Sequence, residues 1–501
     1  MAGAFDAVAF VAGRLRARNA VSAAFFAREA ERLARASRRM AERFRRGGRL
    51  IAFGNGRYAT DAQHVSVEFV HPVIVGKSAL PALDLSLAFA ERLPALLRPE
   101  DVVMGFGPPE GDPEVAAALA LARRCGAFSF ELPALLPGEM TADAGYAVAP
   151  PTDDPLIHQE LIEVLYHTLW ETVHVFFEHR ELGHDVGAAA FLYPFLGSQE
   201  QDTGRVVSGV AASIRAKAAD DERLRDEAAR DQSEAIVAAA AAMRARVATG
   251  GALLLFGNGG SATDANDWAL DCTMPERGRP PIPAVSLAME PANLSAIAND
   301  VGPEAMFLRQ LVALARPQDV AIAISTSGGS RNVIEALVEA RRRGLLTLAL
   351  LGYDGGEIVR RALADHALVV RCDYIPRIQE IQASIYHVIL ELLGAAGEAE
   401  LRLPAEPAED AAAAAAPPRL ELYAGASCPF SRDLREHLLW RGEDFVEYDV
   451  DADADARRRL IGLSAGEPRV PLLVADGRVR QVGWRGRSCT VAAGGGTCGP
   501  P

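Results

Sequence analysis

Two short apolar runs, Ala252–Phe256 and Val320–Ile324, are each followed by a stretch of Gly, Ser and Thr and then by apolar positions at helical spacing. Runs of that length bounded by turn residues predict buried strands, and the segments after them predict helices. The order recurs upstream. Residues 5–48 are rich in Ala and Arg with apolar positions at helical spacing, and Leu50–Phe69 then repeats strand, glycine turn and helix. After Leu393 the pattern changes. Glu398–Pro418 is mostly Ala, Glu and Pro and reads as a semi-rigid linker. From Arg419 the chain reads strand, loop, helix, strand, a charged helix at Ala452–Leu463, and a hairpin over Arg469–Trp484.

The turns carry chemistry. GNGGSATDANDWALD (Gly257–Asp271) and STSGGS (Ser325–Ser330) both join a strand to a helix N-terminus. Glycines let the backbone approach an anion, free N–H groups point outward and the helix dipole favours negative charge. Ser261, Ser325, Thr326, Ser327 and Ser330 add hydroxyl donors. Either loop alone also reads as a tight turn of small residues; two in one α/β unit point to phosphate.

The first part of the chain is a diverged copy of the second. LIAFGNGRYATDAQHVSVEF (Leu50–Phe69) aligns without gaps with LLLFGNGGSATDANDWALDC (Leu253–Cys272). RPEDVV (Arg98–Val103) matches RPQDVA (Arg316–Ala321), and IHQELIEVLYH (Ile157–His167) matches RIQEIQASIYH (Arg377–His387). The offset grows along the chain, so the first copy lacks a piece, expected to be the segment around Ala298–Asp300 and the helix after it. Its loops are also altered: Arg57 and Tyr58 replace Gly260 and Ser261, and GFGPPEGD (Gly105–Asp112) replaces STSGGS. Prolines remove N–H donors and the acids repel anions, so that loop is expected to bind little phosphate. Yet the first copy keeps His64 and Glu68, four apart on one helix face, and Gln159 and His167, eight apart. The aligned positions in the second copy are Asp267, Asp271, Gln379 and His387. A lone histidine on a helix is usually an ordinary packed side chain; here all four residues fall at aligned positions.

GNGGS, Ala298–Asp300, STSGGSRNVIEAL and RIQEIQASIYHVILELL resemble the sugar isomerase (SIS) domain, and within it the phosphoheptose isomerases, over roughly residues 200–395. The resemblance implies interconversion of sedoheptulose 7-phosphate and a heptose 7-phosphate through an ene-diol. Such chemistry needs a carboxylate base, a proton donor at the carbonyl oxygen and a phosphate anchor. By resemblance the base is Glu68 or Asp271 and the acid is His167 or His387. Asn258, Gly259, Gly260, Ser261, Asn299, Asp300, Ser325, Thr326, Ser327, Ser330 and Gln379 would bind the sugar phosphate. Zinc would be held by His64, Glu68, Gln159 and His167, or alternatively by Asp267, Asp271, Gln379 and His387. Asp271 is shorter than glutamate, and misplacement of about 1 Å can cost ~100-fold in rate. Family members are oligomers with sites between subunits. The complementary losses therefore suggest a composite site, with the phosphate cradle from copy two and His64, Glu68, Gln159 and His167 from copy one. Decay of copy one into a structural partner is the competing account. Two such chains would mimic a four-domain assembly, so a homo-oligomer is expected.

Residues 419–485 resemble glutaredoxin, on CPFS (Cys428–Ser431) at a helix N-terminus and on Val470–Pro471, where that family has a cis proline beside the thiol. A helix N-terminus stabilises a thiolate. The thiol site would comprise Cys428, Pro429, Ser431 and Pro471. Ser431 stands where many glutaredoxins have a second Cys, which points to single-thiol chemistry with glutathione or a protein thiol. Intramolecular exchange would need a remote partner such as Cys489. Cys489 and Cys498 lie near or in a Gly-rich tail expected to be loose.

Composition narrows the classes. The chain has 501 residues, half of them apolar, which fits two to three globular domains. Net charge is −14, which argues against nucleic acid as the main partner. No apolar run is long enough to span a bilayer, and Asp6, Arg14 and Arg16 interrupt the N-terminal apolar stretch, so no membrane association and a cytoplasmic location are expected. Cys125, Cys272 and Cys372 are expected as buried small apolar residues of a reducing compartment. The expected fold is α/β: two SIS-type doubly wound parallel-sheet domains with flanking helices and a C-terminal thioredoxin-like (glutaredoxin) domain. The divisions are 1–195 (phosphate loops lost), 196–397 (phosphate loops intact), 398–418 (linker), 419–490 (glutaredoxin-like) and 491–501 (flexible tail). The leading function is a sugar-phosphate isomerase with an appended thiol module. The alternatives are a non-catalytic sugar-phosphate-binding regulator or scaffold, and a redox protein tethered by the SIS pair.

Overall fold

Uninterrupted apolar runs make strands that are buried on both faces, and such strands build parallel sheets covered by helices. The computed structural model describes residues 5–72, 77–134, 144–181, 203–275, 279–394, 420–440, 443–464, 467–484, 486–491 and 498–499. Met1–Pro291 with Arg316–Leu403 form one unit, and Ala292–Ala315 with Pro404–Pro501 form a second. The linker assigned to 398–418 and the division at 195 lie outside the described residues.

The first copy runs α1 (Ala7–Arg45), β1 (Leu50–Gly54), α2 (Ala59–Val70), β2 (Ala82–Asp84), α3 (Phe89–Leu96), β3 (Val102–Phe106), α4 (Pro113–Arg124), β4 (Phe128–Leu132), β5 (Gly145–Ala147) and α5 (Pro155–Glu181). The second follows as α6 (Thr203–Asp231), α7 (Ser233–Ala248), β6 (Leu253–Gly257), α8 (Gly260–Thr273), β7 (Ala284–Ser286), α9 (Pro291–Asp300), α10 (Met306–Leu314), β8 (Val320–Ser325), α11 (Arg331–Arg342), β9 (Leu346–Gly352), α12 (Gly356–Arg360), β10 (His366–Val370) and α13 (Ile375–Gly394). The sheet orders are β2-β1-β3-β4-β5 and β10-β9-β8-β6-β7, all parallel, so the two copies share one topology. In an open parallel sheet, ligands bind beyond the carboxyl ends of the strands where the order reverses. In the second copy that point lies between β6 and β8, the strands that lead into Gly257–Gly260 and Ser325–Ser330.

Sequence boundaries explain the helix starts. Asp6 caps α1 by accepting from Ala9 N at 2.9 Å, and Asp154 caps α5 by accepting from Leu156 N and Ile157 N. α1 packs along α5 and α6, and α2 packs on α8, so the two copies meet through helices within one unit. One expectation needs correcting. The first copy keeps a helix before RPEDVV, α3, as the second has α10 before RPQDVA; what it lacks is α9 and the short turn after it, not the helix that follows.

The C-terminal unit has β11 (Leu420–Ala424), α14 (Pro429–Trp440), β12 (Phe445–Asp449), α15 (Ala454–Leu463), β13 (Arg469–Val470), β14 (Leu472–Ala475), β15 (Arg478–Val482), β16 (Ser488–Thr490) and β17 (Cys498–Gly499). β12-β11-β14-β15 form one sheet and β13-β16-β17 another. α15 starts two residues later than its charge pattern suggested because Asp453 caps it, accepting from Asp455 N and Ala456 N. The tail expected to be loose at 491–501 contributes β17, which pairs with β16; the backbone ladder Cys489↔Cys498 holds it there. The rest of that tail, apart from Val491, lies outside the described residues. Among the described residues, no helix is long and apolar enough to cross a membrane.

Candidate functional site

The helices that follow the two glycine turns, α2 and α8, carry His64 and Glu68 and their counterparts Asp267 and Asp271. The last long helix of each copy, α5 and α13, carries Gln159 and His167 and their counterparts Gln379 and His387. Where these four helices meet, they build two buried clusters related by the internal repeat.

In the first cluster His64 Nε2 lies 3.3 Å from His167 Nε2 and 3.4 Å from Gln379 Nε2. Glu68 Oε1 is 3.9 Å from His64 Nε2, and Asp264 Oδ1 is 3.5 Å from His64 Nδ1. Glu380 accepts from His167 Nδ1 at 2.9 Å and is held on its other oxygen by Arg377, which also binds Asp221 at 3.1 Å. A proton fixed on Nδ1 leaves Nε2 of His167 facing the cluster. Burial, then the neighbouring Glu380, pushes the Glu68 carboxyl up to about 8. Burial and His167 hold His64 well below its ordinary value, and burial with Arg377 takes His167 down to about 3. Both imidazoles are therefore neutral. Glu68 Oε2 and Gln379 Oε1 find no hydrogen-bond partner among the described residues.

In the second cluster Asp267 Oδ1 accepts from Gln159 Nε2 at 2.5 Å and from Thr60 Oγ1 at 2.8 Å, while Tyr386 donates to Oδ2 at 2.8 Å. His387 Nε2 lies 3.2 Å from Asp271 and 3.6 Å from Asp267, and its Nδ1 is 2.8 Å from Glu160. Arg57 Nη1 binds Asp271 Oδ1 at 2.8 Å. Burial would lower His387, but bonds to Asp267, Asp271 and Glu160 outweigh it and hold it well above the usual histidine value. Asp267 lies below its ordinary value because, against burial, it accepts from His387, Tyr386 and Thr60. Burial and the adjacent Asp267 raise Asp271. The first cluster gathers neutral groups and the second gathers ion pairs; both keep buried polar atoms without a hydrogen-bond partner among the described residues, Gln159 Oε1, Asp271 Oδ2 and His387 Nε2 in the second.

This changes the grouping read from the sequence. Gln159 does not join His64, Glu68 and His167, and Gln379 does not join Asp267, Asp271 and His387. The glutamines exchange, because α5 and α13 each reach across to the other copy's glycine-turn helix.

The glycine turn of copy two adjoins the first cluster. Gly259 adopts φ +57° at the start of α8, and a Cβ built on Gly260 would lie 2.0 Å from Gln379 Nε2 and 2.8 Å from His64 Nε2. Only glycine fits there without moving those side chains. Ser261 and Ser325 are buried, and Ser325 Oγ accepts from Gly328 N at 3.2 Å. Ser327 Oγ accepts from Gly329 N at 3.3 Å, Thr326 is half-buried, and Ser330 precedes α11 without making a side-chain cap bond. Asn258 exchanges hydrogen bonds with Asn332 at 2.8 and 3.0 Å. In copy one the matching Asn55 instead donates to Asp112 and Glu114 at 3.0 and 2.9 Å, so carboxylates stand where an anion would sit. Asn299 and Asp300 end α9, a helix without buried residues, and bond to each other at 2.8 Å; they belong to the other unit.

In the C-terminal unit Cys428 is buried immediately before α14, and its thiol donates to Val470 O at 3.7 Å. Pro429 opens α14, and the Val470–Pro471 bond is cis. Ser431 is fully buried and its Oγ accepts from Gly425 N at 3.2 Å, so this hydroxyl shapes the loop. Cys489 lies in the same apolar core but is disulfide-bonded, so it is not a free resolving thiol for Cys428. Cys272 is buried as expected, whereas Cys372 is half-buried and Cys125 is exposed where α4 ends in two arginines and a glycine turn.

Comparison with known proteins settles the family. The SIS domain family matches residues 219–352 and the Glutaredoxin family residues 420–480. The phosphoheptose isomerase of Chlorobaculum tepidum is 45% identical over 175 residues, 34% of this chain and 83% of that protein. The chain belongs to the phosphoheptose isomerase family. The phosphoheptose isomerase of Solidesulfovibrio magneticus is 43% identical over 164 residues, 32% of this chain and 79% of that one. The structure of a phosphoheptose isomerase from Neisseria gonorrhoeae shares 36% identity, covering 37% of this chain and 98% of its own, with a TM-score of 0.35. This family member is thus an isomerase-type SIS protein that carries a glutaredoxin domain.

The resemblance did not bring out Glu160, Glu380, Asp264, Arg18 and Arg377. Glu160 and Glu380 directly follow the aligned glutamines, and Asp264 aligns with Asp61, so the repeat itself held a signal for them. Arg18, which binds Glu160 at 2.8 Å, lies in the first helix with no local mark of its role.

Proposed function

We propose that the chain isomerises sedoheptulose 7-phosphate to a heptose 7-phosphate at one composite site. The supporting observation is the contact of Gly260, the first residue of the copy-two phosphate helix, with His64 of copy one and Gln379 of copy two. The loops at Gly257–Ser261 and Ser325–Ser330 anchor the phosphate through backbone N–H groups and hydroxyls. Glu68 then moves the proton between the neighbouring carbons of the ene-diol. His167, oriented by Glu380 through Nδ1, turns its bare Nε2 toward the cluster.

The unpartnered Glu68 Oε2 and Gln379 Oε1 beside two neutral imidazoles fit a divalent cation. His64, Glu68, His167 and Gln379 would hold zinc, which when bound polarises the carbonyl oxygen. Burial excludes water from the ene-diol. The C-terminal domain exchanges disulfides through Cys428, with glutathione as its thiol partner.

The test is NMR of sedoheptulose 7-phosphate incubated with Glu68→Gln and Asp271→Asn variants. We expect Glu68→Gln to lose at least ~100-fold in kcat, within the range of one general base, and Asp271→Asn to stay active. Full activity in Glu68→Gln would sink the composite site.

A further inference from the structure

Arg57 occupies the position that Gly260 holds in the other copy. Gly260 packs directly against His64 and Gln379, so its position sends no side chain toward that cluster. At the pseudo-symmetric cluster, the Arg57 side chain reaches in instead. Its Nη1 lies 2.8 Å from Asp271 Oδ1, with the guanidinium 5.2 Å from the centre of the Tyr58 ring. Asp271 has no exposed side-chain surface and Arg57 only 11%. The cluster it enters holds one donor from each of Asp267, Asp271 and His387 within 4.8 Å of one another, a set that could hold a metal ion. Gln159 is buried against Asp267, and its Oε1 finds no hydrogen-bond partner among the described residues. A small cleft lined by Arg57, Leu156, Asp271, Cys272 and Ile282 borders the cluster on its Asp271 side.

We propose that Arg57 is a resident cation that takes the place of a metal ion in this second cluster, so that each chain holds one metal site and not two. The inference rests on the reading of the first cluster as the metal-holding active site. Two Asp carboxylates in a buried pocket need compensating positive charge. In the first cluster that charge would come from a bound ion. In the second, His387 faces both carboxylates and the guanidinium adds a fixed charge at Asp271 from within the chain, and copy one's substituted loop leaves no phosphate anchor beside it.

The experiment counts zinc. Full-length protein is stripped with chelator, reloaded with excess Zn²⁺, desalted, and its metal measured by mass spectrometry. We expect one equivalent for wild type, none for His64→Ala, and one more than wild type for Arg57→Gly. Adding Asp271→Asn to Arg57→Gly should remove the extra equivalent. No gain in an Arg57→Gly variant with a native circular dichroism spectrum overturns the proposal. If that variant fails to fold, wild type decides. Two equivalents, one of them lost with Asp271→Asn, overturn it; one equivalent, lost with His64→Ala, upholds it. A wild type without zinc whose Arg57→Gly variant gains one equivalent upholds the role of Arg57 and overturns the metal assignment of the first cluster instead.

Discussion

Glu380→Gln asks whether a carboxylate on one copy tunes an imidazole on the other. Glu380 accepts from His167 Nδ1 at 2.9 Å and is gripped by Arg377. A glutamine there keeps an acceptor for Nδ1 but carries no charge. The ring therefore stays oriented, while its Nε2 becomes a weaker ligand and base. Partners of this kind contribute about 10–100-fold in metal affinity or activity, which is ~1.4–2.7 kcal/mol. Stability should fall separately. Arg377 keeps Asp221 at 3.1 Å, so the loss is one charged hydrogen bond, about 1.5–3 kcal/mol. Glu380→Leu would leave Arg377 and Nδ1 without that acceptor and cost more, about 3–5 kcal/mol. Zinc affinity is measured by competition with a chromophoric chelator, kcat by NMR, and stability by thermal melts. The control is Glu160→Gln, the mate by internal symmetry. It serves His387 in the other cluster, so it should lower stability and leave zinc affinity unchanged. Wild-type zinc affinity and kcat in Glu380→Gln, or equal effects of the two variants on zinc, would refute the reasoning.

Three further outcomes follow from the geometry. Gly260→Ala places a methyl 2.0 Å from Gln379 Nε2 and 2.8 Å from His64 Nε2; displacing those groups by about 1 Å should cost ~100-fold in kcat, with about 1–3 kcal/mol of stability lost to overpacking. In metal-stripped protein, burial raises Glu68 from 4.5 to about 8, so its contribution to stability is full below the unfolded value and is lost as pH rises through about 8. The permanently neutral Glu68→Gln should therefore melt near wild type at acid pH and increasingly above it toward alkaline pH, and a gap that narrows on that path refutes the assignment. Cys428→Ser should abolish glutathione-dependent disulfide reduction while leaving isomerisation intact, and a matching loss of both activities would show that the thiol serves the sugar site.

The sheets were legible because each buried strand is an unbroken apolar run followed by a glycine turn, as in Leu253–Gly257 and Val320–Ser325. The internal repeat also pointed to the residues of the clusters. Their grouping was not legible. Alignment ranks Gln159 with His167 because they share a helix, yet the packing of α5 and α13 sends Gln159 to Asp267 and Gln379 to His64. Arg57 read as a damaged glycine position, since nothing in GNGRY shows that its side chain meets Asp271, more than two hundred residues away. The orienting carboxylates were missed for a similar reason. Glu160 and Glu380 look like ordinary helix surface charges until the opposite copy covers them. The disulfide at Cys489 and the strand at Cys498–Gly499 stayed hidden behind a glycine-rich stretch that has no apolar pattern to read.

The two glycine-turn helices pack against each other inside a single chain, and this alters which substitutions the molecule tolerates. In an assembly of identical subunits every replacement appears in all sites at once, so an arginine at the glycine position would displace the packed side chains at every site. Joining the halves covalently removes that constraint. Gly260 stays small where Gln379 and His64 pack against it, while its counterpart is Arg57, which knits the halves together through Asp271. With Arg57 facing Asp271 on one side and Gly260 facing His64 and Gln379 on the other, neither half can be exchanged for a second copy of the other.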